Sequence, residues 1–282
     1  MRGAVGEAGE KMKQLIVNAD DYGRSANVSR GIRHAHLHGI VTSTTCMMNY
    51  PTTVDDIAVA LRETPKLGLG VHLVLTAGAP LSDPAEIPTL VGSDGAFPTY
   101  HEVLARVAEM NERELELEWT RQIDAFITQT GRAPTHLDSH HHVAFWGEAP
   151  LTTLLSLANR YGCAIRVPRD VSGQWRGLPA VNAERFAPAL LAASSAPHPD
   201  AFYAGFYDEG ATEENLRSII GELDDGTAEL MCHPGFVDAD LIATSGYSRP
   251  REIEMDLLTD PKMRELLAVQ QIERITFVDL DV

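Results

Sequence analysis

The stretch Asn18-Ala19-Asp20-Asp21-Tyr22-Gly23 directly follows Gln14-Leu15-Ile16-Val17, a short apolar run that predicts a buried strand. Two adjacent carboxylates at the end of such a strand are costly to remove from water, because like charges lie side by side. A divalent cation is a common reason for the pair: one carboxylate binds the metal and the other stays free as a base. The alternative is a polar turn closed by Gly23. Both interpretations fit this stretch equally well, so the choice depends on what the rest of the chain supplies.

Outward from this turn, strand-like apolar runs alternate with helical patterns along the chain. Ser25 is a suitable N-cap for the first helix, and Gly39 ends it. The predicted strands are residues 14–17, 40–48, 67–73, 135–138, 164–167, 201–204, 228–232 and 275–278. This alternation is typical of parallel βαβ units, whose strands end on one common face. We therefore expect a single α/β domain over residues 14–282, a TIM-like (β/α) barrel of seven or eight strands with one strand irregular. A disordered tail or vector remnant is expected over residues 1–13.

The composition argues against several classes of partner. The chain has 282 residues and a formal net charge of −17, from 40 acidic against 23 basic residues, without a Lys/Arg cluster. Nucleic acids and anionic membranes require clustered positive charge, so we expect neither, and a neutral ligand instead. No stretch approaches the roughly 20 apolar residues of a membrane span. Cys46, Cys163 and Cys232 lie in apolar strand-like settings typical of a reducing compartment, which predicts a cytoplasmic protein.

Two segments outside the strands carry expectations of their own. Residues 76–98 are irregular and contain several prolines, and such a long loop after a barrel strand is usually a lid or a wall of the substrate site. The pattern that follows predicts one helix over residues 102–129. Its charged positions are expected to face solvent; they are Glu112, Arg113, Glu114, Glu116, Glu118 and Arg121.

Polar residues at the C-terminal ends of parallel barrel strands converge on one mouth. Here those ends carry Asp20, Asp21, His72, the run 136–142, Arg166 and His233. A carboxylate with two imidazoles forms a three-ligand metal site that leaves positions for water and substrate. The first choice of ligands is Asp21, His72 and His140. The alternatives are a core role for His72 and a simple histidine-rich loop over 136–142.

The histidine run leaves a choice of residues open. His136, Asp138, His140 and His142 share one face if the strand continues, and one metal ion cannot use them all. The remaining members are candidates for substrate contact or for supporting a metal ligand. Asp138 in particular could hold a ligand imidazole in one tautomer.

Asp20 remains as the free carboxylate, placed to take a proton from a water molecule that the metal activates. Arg166 could keep Asp20 ionised, or could simply end its strand at the surface. His233 arrives from the opposite side of the barrel, and Pro234-Gly235 bends the chain after it. An imidazole titrates near neutrality, which makes His233 a suitable general acid for a leaving group. A base, an acid and a metal between them suit the hydrolysis of an amide.

Five motifs occur in order over nearly the whole chain from residue 14. They are Asn18-Ala19-Asp20-Asp21-Tyr22-Gly23, Gly39-Ile40-Val41-Thr42-Ser43-Thr44, Gly70-Val71-His72-Leu73, Thr135-His136-Leu137-Asp138-Ser139-His140-His141-His142 and His233-Pro234-Gly235. Together they closely resemble the YdjC/ChbG family of carbohydrate deacetylases, which includes chitooligosaccharide deacetylases and a hopanoid-associated branch. The resemblance implies a TIM-like barrel, one divalent metal ion (magnesium or zinc), hydrolysis of N-acetyl groups on sugars, and a homodimer. By position it implies that Asp21, His72 and His140 hold the metal, which selects His140 within the run. It also implies that Asp20 is the base and that His233 lies in the site.

The chain departs from the family pattern at two positions. Ala144 stands where the family often has another histidine, and Tyr22 stands where it prefers Phe. Two imidazole ligands favour zinc or another transition metal over magnesium, so the metal stays open. A glycoside hydrolase is a competing hypothesis, but it needs two carboxyls about 5 to 9.5 Å apart, whereas Asp20 and Asp21 are adjacent. A non-catalytic sugar- or metal-binding regulator is the third hypothesis, which the intact set of site residues disfavours.

Aromatic residues are candidates for stacking on a sugar ring. They are Trp146, Trp175, Phe206 and Tyr247. Core packing is the alternative for each of them. Tyr247 is counted, with His136, Asp138 and His142, among the residues expected to contact substrate or to support the metal ligands.

Overall fold

The computed structural model describes residues 12–179 and 181–280. The tail predicted over residues 1–13 lies outside this part of the chain except for its last two residues, and Lys13 already belongs to the first strand. The strands are β1 Lys13–Tyr22, β2 Ser43–Cys46, β3 Gly68–Leu73, β4 His136–Ser139, β5 Ala164–Ile165, β6 Ala201–Tyr203, β7 Gly226–Cys232 and β8 Glu273–Arg274. The helices are α1 Ala26–His38, α2 Thr53–Glu63, α3 Tyr100–Arg106, α4 Glu112–Thr130, α5 Glu148–Tyr161, α6 Ala187–Ala192, α7 Glu213–Gly221, α8 Ala239–Thr244, α9 Arg249–Thr259 and α10 Pro261–Val269.

The strands form one parallel sheet in the order β5-β4-β3-β2-β1-β7-β6, and β8 pairs with the start of β1. Two backbone hydrogen bonds join the segments at opposite ends of this order. The Ile165 N–H donates to the Pro197 carbonyl at 2.9 Å, and the Phe202 N–H donates to the Arg169 carbonyl at 3.0 Å. The predicted (β/α) barrel is therefore confirmed, with an irregular seam between β5 and β6.

The last strand differs from its prediction over residues 275–278. β8 ends at Arg274, and Thr276 and Asp279 form a capping box that starts the 3-10 turn Phe277–Asp279. The Thr276 N–H donates to the Asp279 carboxylate at 2.8 Å, so it is no longer available to a neighbouring strand. The buried Phe277 ring stacks on His136 at a centroid distance of 3.6 Å and closes the barrel below the mouth.

The helix predicted over residues 102–129 is broken in two. α3 ends at Arg106, and the Asn111 side chain caps α4 by accepting a hydrogen bond from the Arg113 N–H at 2.9 Å. A cap residue inside the predicted helix explains the break, because Asn favours the N-cap over the helix interior. Among the described residues no helix, the 19-residue α4 included, combines the length and the apolar composition needed to cross a membrane.

The expectation of a solvent-facing charged face on α4 is wrong for Glu118, which is fully buried. Its carboxylate accepts hydrogen bonds from the N–H groups of Leu81 and Ser82 at 3.0 and 2.8 Å. Buried backbone groups of a loop need such partners. Glu118 therefore holds the loop of residues 76–98 against the barrel beside the mouth.

Candidate active site

A cleft of about 600 Å³ opens at the C-terminal ends of the strands. Its polar floor is formed by residues of β1, β3 and β7 and of the segment after β4. The structure brings six of the predicted side chains to this floor, namely Asp20, Asp21, His72, His140, His142 and His233. Asp138 and Arg166 are buried in contact with them, and Tyr247 lies in the cleft wall.

Both carboxylates of the acidic pair face the cleft because the backbone departs from strand geometry at Asp21. Successive side chains of a regular strand point to opposite faces, but Asp21 has a φ of 71°, and the β1–β2 register shifts between Ala19 and Tyr22. Gly23 follows with a φ of 93°, and a Cβ there would lie 2.0 Å from Oγ1 of Thr53. The tight turn and the paired carboxylates are therefore parts of one structure rather than alternatives.

Three side chains present one ligand atom each to a common point. Asp21 Oδ1 lies 3.2 Å from His140 Nδ1 and 3.5 Å from His72 Nε2, and the two ring nitrogens are 3.2 Å apart. Atoms that bind one zinc ion at roughly 2.0–2.2 Å have separations of this size. Asp21 Oδ1 is buried without a hydrogen-bond partner among the described residues, so a cation would satisfy it. These residues fit a divalent metal ion.

Asp138 orients the His72 ring from the side opposite the metal-ligand atoms. Its Oδ1 lies 2.6 Å from His72 Nδ1, and Thr45 Oγ1 donates to its Oδ2 at 3.0 Å. The Nδ1 proton therefore points at Asp138 and Nε2 turns towards Asp21, an arrangement common among metal-binding imidazoles. Burial alone would lower the pKa of His72, but the neighbouring carboxylates, Asp138 first, raise that pKa to about 9. Metal binding must therefore displace a proton from Nε2.

Arg166 is buried rather than exposed at a strand end, and it holds Asp20 as a carboxylate. Its Nη1 and Nη2 each donate at 2.7 Å to one oxygen of Asp20, the paired geometry that guanidinium and carboxylate groups favour. Asn18 Nδ2 donates to Asp20 Oδ1 at 2.9 Å. Burial would raise the pKa of Asp20, but Arg166 outweighs it and keeps that pKa well below the usual range. Asp20 is thus ionised at neutral pH, as a proton acceptor must be.

Acidic groups outnumber basic groups in the buried part of the site. The carboxyl groups are those of Asp20, Asp21, Asp138, Glu229 and Glu254, and the basic groups are the guanidinium groups of Arg166 and Arg251 and the His72 ring. Arg166 also contacts Asp138 at 2.9 Å and Glu229 at 2.6 Å. Burial raises the pKa of Glu229 to about 7, even beside Arg166. Uncompensated negative charge is costly away from water, so the site favours a bound cation.

His233 faces the acidic pair from the end of β7. Its Nε2 lies 3.9 Å from Asp20 Oδ2, and its backbone N–H donates to the Glu254 carboxylate. Burial lowers the pKa of His233 to about 4, although Asp20 and Asp21 oppose this shift. The ring is therefore neutral at neutral pH, and it can act as a general acid only after it has received a proton.

The histidine run does not continue as a strand. β4 ends at Ser139, and His141 and His142 have φ values of 57° and 56°, so the side chains expected on one face separate. His142 still lines the cleft. His136 instead lies below the cleft, where its Nε2 is 3.1 Å from Asn18 Oδ1. His136 is thus placed to support the site from underneath and not to touch a ligand in the cleft.

The two departures from the family pattern lie outside the cleft lining. Ala144 is buried, and its N–H donates to Ser139 Oγ at 3.0 Å. The Tyr22 hydroxyl is buried too; it donates to the Asp56 carbonyl at 2.6 Å and accepts from Arg33 Nη1 at 2.7 Å. Both residues therefore belong to the packing around the site.

Several residues of the site belong to no sequence motif and were not predicted. They are Tyr207, Glu229, Arg251 and Glu254. Arg251 and Glu254 lie one turn apart on α9 and are buried, whereas charged residues on an amphipathic helix are normally expected to face solvent. Of these four residues, Glu229 could have been found from sequence, because a carboxylate inside the apolar run 228–232 is costly unless it is paired. Tyr207 lines the cleft and stacks on Tyr247.

Comparison with known proteins finds relatives over nearly the full chain. A family model described as YdjC-like protein matches residues 14–269. A carbohydrate deacetylase of Geobacillus stearothermophilus is 37% identical over 268 residues, which cover 94% of this chain and 97% of the relative. A chitooligosaccharide deacetylase of Serratia marcescens is 36% identical over 272 residues, covering 95% of this chain and 99% of the relative.

Solved structures share the architecture. A crystal structure described as that of a cellobiose-phosphate cleavage protein from Enterococcus faecalis superposes with a TM-score of 0.84 at 30% identity, covering 94% of this chain and 98% of that one. A family 4 carbohydrate esterase from Streptomyces lividans superposes with a TM-score of 0.50 at 10% identity, over 93% of this chain and 91% of that one. At such low identity the second likeness shows a common fold only.

Proposed function

Because the chain belongs to the YdjC-like protein family, we propose that it is a carbohydrate N-deacetylase that requires one divalent metal ion. The proposed substrate is a glycan that contains N-acetylglucosamine, such as a chitooligosaccharide. The deacetylases that resemble the chain support this substrate class. The observation that carries the proposal is the triangle of ligand atoms from Asp21, His72 and His140 beside a separately held Asp20.

Asp21, His72 and His140 would hold the metal ion. When bound, a divalent cation supplies Lewis acidity to the acyl oxygen and makes water more acidic. Two imidazoles and one carboxylate suit zinc or another transition metal better than magnesium, which prefers oxygen ligands. We keep both zinc and magnesium as candidate cofactors.

Asp20 accepts the proton of the attacking water in this proposal. Arg166 donates to both carboxylate oxygens, so Asp20 is ionised before the reaction and keeps its orientation when it takes the proton. His233 delivers a proton to the leaving nitrogen. Its Nε2 lies 3.9 Å from Asp20 Oδ2, so one bridging water passes the proton taken by Asp20 to His233. The acyl carbon gains the water oxygen, the C–N bond breaks, and the nitrogen departs as a free amine while acetate remains.

The glycoside hydrolase hypothesis finds less support in the same geometry. Such an enzyme needs a second carboxyl group that is free to protonate or to attack. Asp138 and Glu229 are both bound to Arg166, and Asp21 Oδ2 lies 2.5 Å from Arg251 Nη2. The carboxyl groups around Asp20 are thus committed to other partners.

The test is to load the protein with zinc or magnesium and incubate it with N-acetylated chitooligosaccharides. Released acetate and the chain length of the sugar are measured together, and a chelator-treated sample is the control. We expect acetate without chain shortening, lost on chelation and restored by metal. Shortening without acetate would support the glycosidase, and tight sugar binding with neither product would support the regulator.

Two further expectations accompany the proposed function. The resemblance to the family implies a homodimer, and the settings of the cysteines predict a cytoplasmic, reducing location. Cys46, Cys163 and Cys232 are buried and unpaired, which agrees with a reducing compartment. Analytical ultracentrifugation tests the homodimer. Localisation of the tagged chain in cells tests the cytoplasmic location.

A further inference from the structure

Tyr207 and Tyr247 form a stacked pair in the cleft wall, with ring centroids 4.3 Å apart and ring planes 8° apart. We propose that the open face of Tyr207 is a platform for the pyranose ring that carries the reacting acetamide, and that Tyr247 supports this platform from behind. This inference rests on the proposed deacetylase function and adds a sugar subsite to it. It also changes the expected role of Tyr247, from contacting the sugar to backing the residue that does.

Tyr207 is unusually exposed for a large aromatic residue in a cleft. Its exposed fraction is 43%. Because Tyr247 covers one face of the Tyr207 ring, the exposed area belongs to the other face and the edges. Aromatic faces offer large contact area at little cost in conformational entropy, and ligand sites are commonly lined by them. An uncharged surface of this kind suits a neutral sugar ring.

The platform is held rigidly from inside the protein. The Tyr247 hydroxyl donates to the Glu254 carboxylate and accepts from the Asp208 N–H at 2.9 Å. Glu254 is fully buried and also accepts the His233 N–H. One buried carboxylate therefore ties the aromatic pair to the proposed general acid, and a pre-organised surface loses less entropy when a ligand binds.

The position of the pair relative to His233 identifies the sugar ring concerned. The centroid of the His233 ring lies 5.3 Å from that of Tyr207 and 5.5 Å from that of Tyr247. An acetamide nitrogen is bonded directly to its pyranose ring. The ring must therefore lie beside the imidazole that protonates this nitrogen, and Tyr207 is one of the two aromatic residues that flank this imidazole.

The other aromatic candidates are engaged in packing. Trp146 and Phe206 are buried, so the core alternative is correct for both. Trp175 is absent from the residues that line the cleft. Tyr100 lines another part of the cleft, but its ring makes edge contacts with His141 and Trp146.

The experiment compares Tyr207→Ala, Tyr207→Leu and Tyr207→Phe in the metal-loaded full chain, with N,N′-diacetylchitobiose as substrate. We expect the KM to rise about tenfold in the Ala and Leu variants while kcat changes little, and the Phe variant to restore the KM. Leu keeps apolar bulk without a flat face, so it separates stacking from simple filling of space. Tyr161→Ala, outside the cleft at the end of α5, is the matched control and should leave both constants unchanged.

An unchanged KM in the Ala and Leu variants overturns the platform while leaving the proposed function intact. A fall in kcat at unchanged KM also overturns it, because Tyr207 would then act on His233 and not on the sugar. If the wild-type chain releases no acetate, the proposed function fails by itself. Calorimetric titration of the disaccharide into wild type and Tyr207→Ala then tests whether Tyr207 binds the sugar. Weaker binding to the variant supports the platform, and equal binding overturns it.

Discussion

Arg251 Nη2 lies 2.5 Å from Asp21 Oδ2 and leaves Oδ1 of the same carboxylate without a hydrogen-bond partner among the described residues. The neighbouring Asp20 is held differently, because Arg166 takes both of its oxygens. One arginine thus leaves its aspartate an atom free for a metal ion, and the other fixes its aspartate as an oriented carboxylate. This difference supports the proposed roles of metal ligand for Asp21 and of base for Asp20.

Asp20→Asn should keep the metal ion and lose turnover. The amide has nearly the size of the carboxylate but cannot accept a proton, and removal of a general base typically costs about 10²–10⁴-fold in rate. Acetate release gives the rate, and elemental analysis gives the metal content. Asp55→Asn, at an exposed position on α2, is the control that should change neither. Full activity in Asp20→Asn would show that the base lies elsewhere.

His72→Ala should lose the metal ion itself. This substitution removes one of three ligand atoms and leaves Asp138 buried without its imidazole partner. Elemental analysis after dialysis should therefore find little bound metal. His38→Ala, on the exposed end of α1, should retain it. Stoichiometric metal in the His72 variant would contradict the assignment of the ligand set.

Metal affinity should fall as the pH falls. Asp138 opposes the effect of burial and raises the pKa of His72 to about 9, so the metal-free ring carries a proton that metal must displace. Below this pKa the apparent affinity should drop about tenfold for each pH unit, and above it the affinity should level off. The slope is measured by competition with a chromophoric chelator at several pH values from about 6 to 9, with the pH of each sample set to about 0.1 unit. An affinity that stays constant between about pH 6 and 8 would contradict the proton displacement.

The convergence of polar side chains at the strand ends could be predicted from sequence because such residue types are costly there unless they have a use. Adjacent carboxylates after a buried strand and a histidine inside an apolar run, as at His72, are costly unless they are used. Parallel topology then brings them to one mouth. Sequence analysis left Arg166 as a candidate partner of Asp20 or an exposed strand end, and the structure shows its guanidinium bound to the Asp20 carboxylate.

Tertiary contacts between distant segments could not be predicted in this way. Arg251 and Glu254 look like ordinary charges on a helix, and only the packing of α9 against the mouth makes them partners of Asp21 and His233. The burial of Glu118 could not be predicted for the same reason, since the loop N–H groups that donate to its carboxylate are far away in sequence. A charge pattern along one helix carries no information about which neighbour covers it.

Tyr22→Phe should lower stability without changing catalysis. The hydroxyl is buried and bonds to Asp56 and Arg33, away from the ligand atoms of the site. Its removal leaves a buried carbonyl and part of a guanidinium without this partner, which costs about 1–3 kcal/mol. Urea denaturation should show this loss while kcat and KM for the acetylated sugar stay at wild-type values. A changed kcat at full metal content would place this hydroxyl in the reaction instead.

Gly23→Ala should destabilise the protein far more than the same change at Gly131. Both glycines have positive φ, 93° and 70°, so alanine suffers backbone strain at either position. At Gly131 a Cβ would meet nothing within 4 Å, whereas at Gly23 it would lie 2.0 Å from Oγ1 of Thr53. We therefore expect about 1 kcal/mol of lost stability at Gly131 and at least 1–3 kcal/mol more at Gly23. Because the turn at Gly23 also sets Asp21, the Gly23 variant should bind metal more weakly and the Gly131 variant normally. Urea midpoints and metal content measure the two effects, and equal losses in both variants would mean that contact with Thr53 does not constrain the turn.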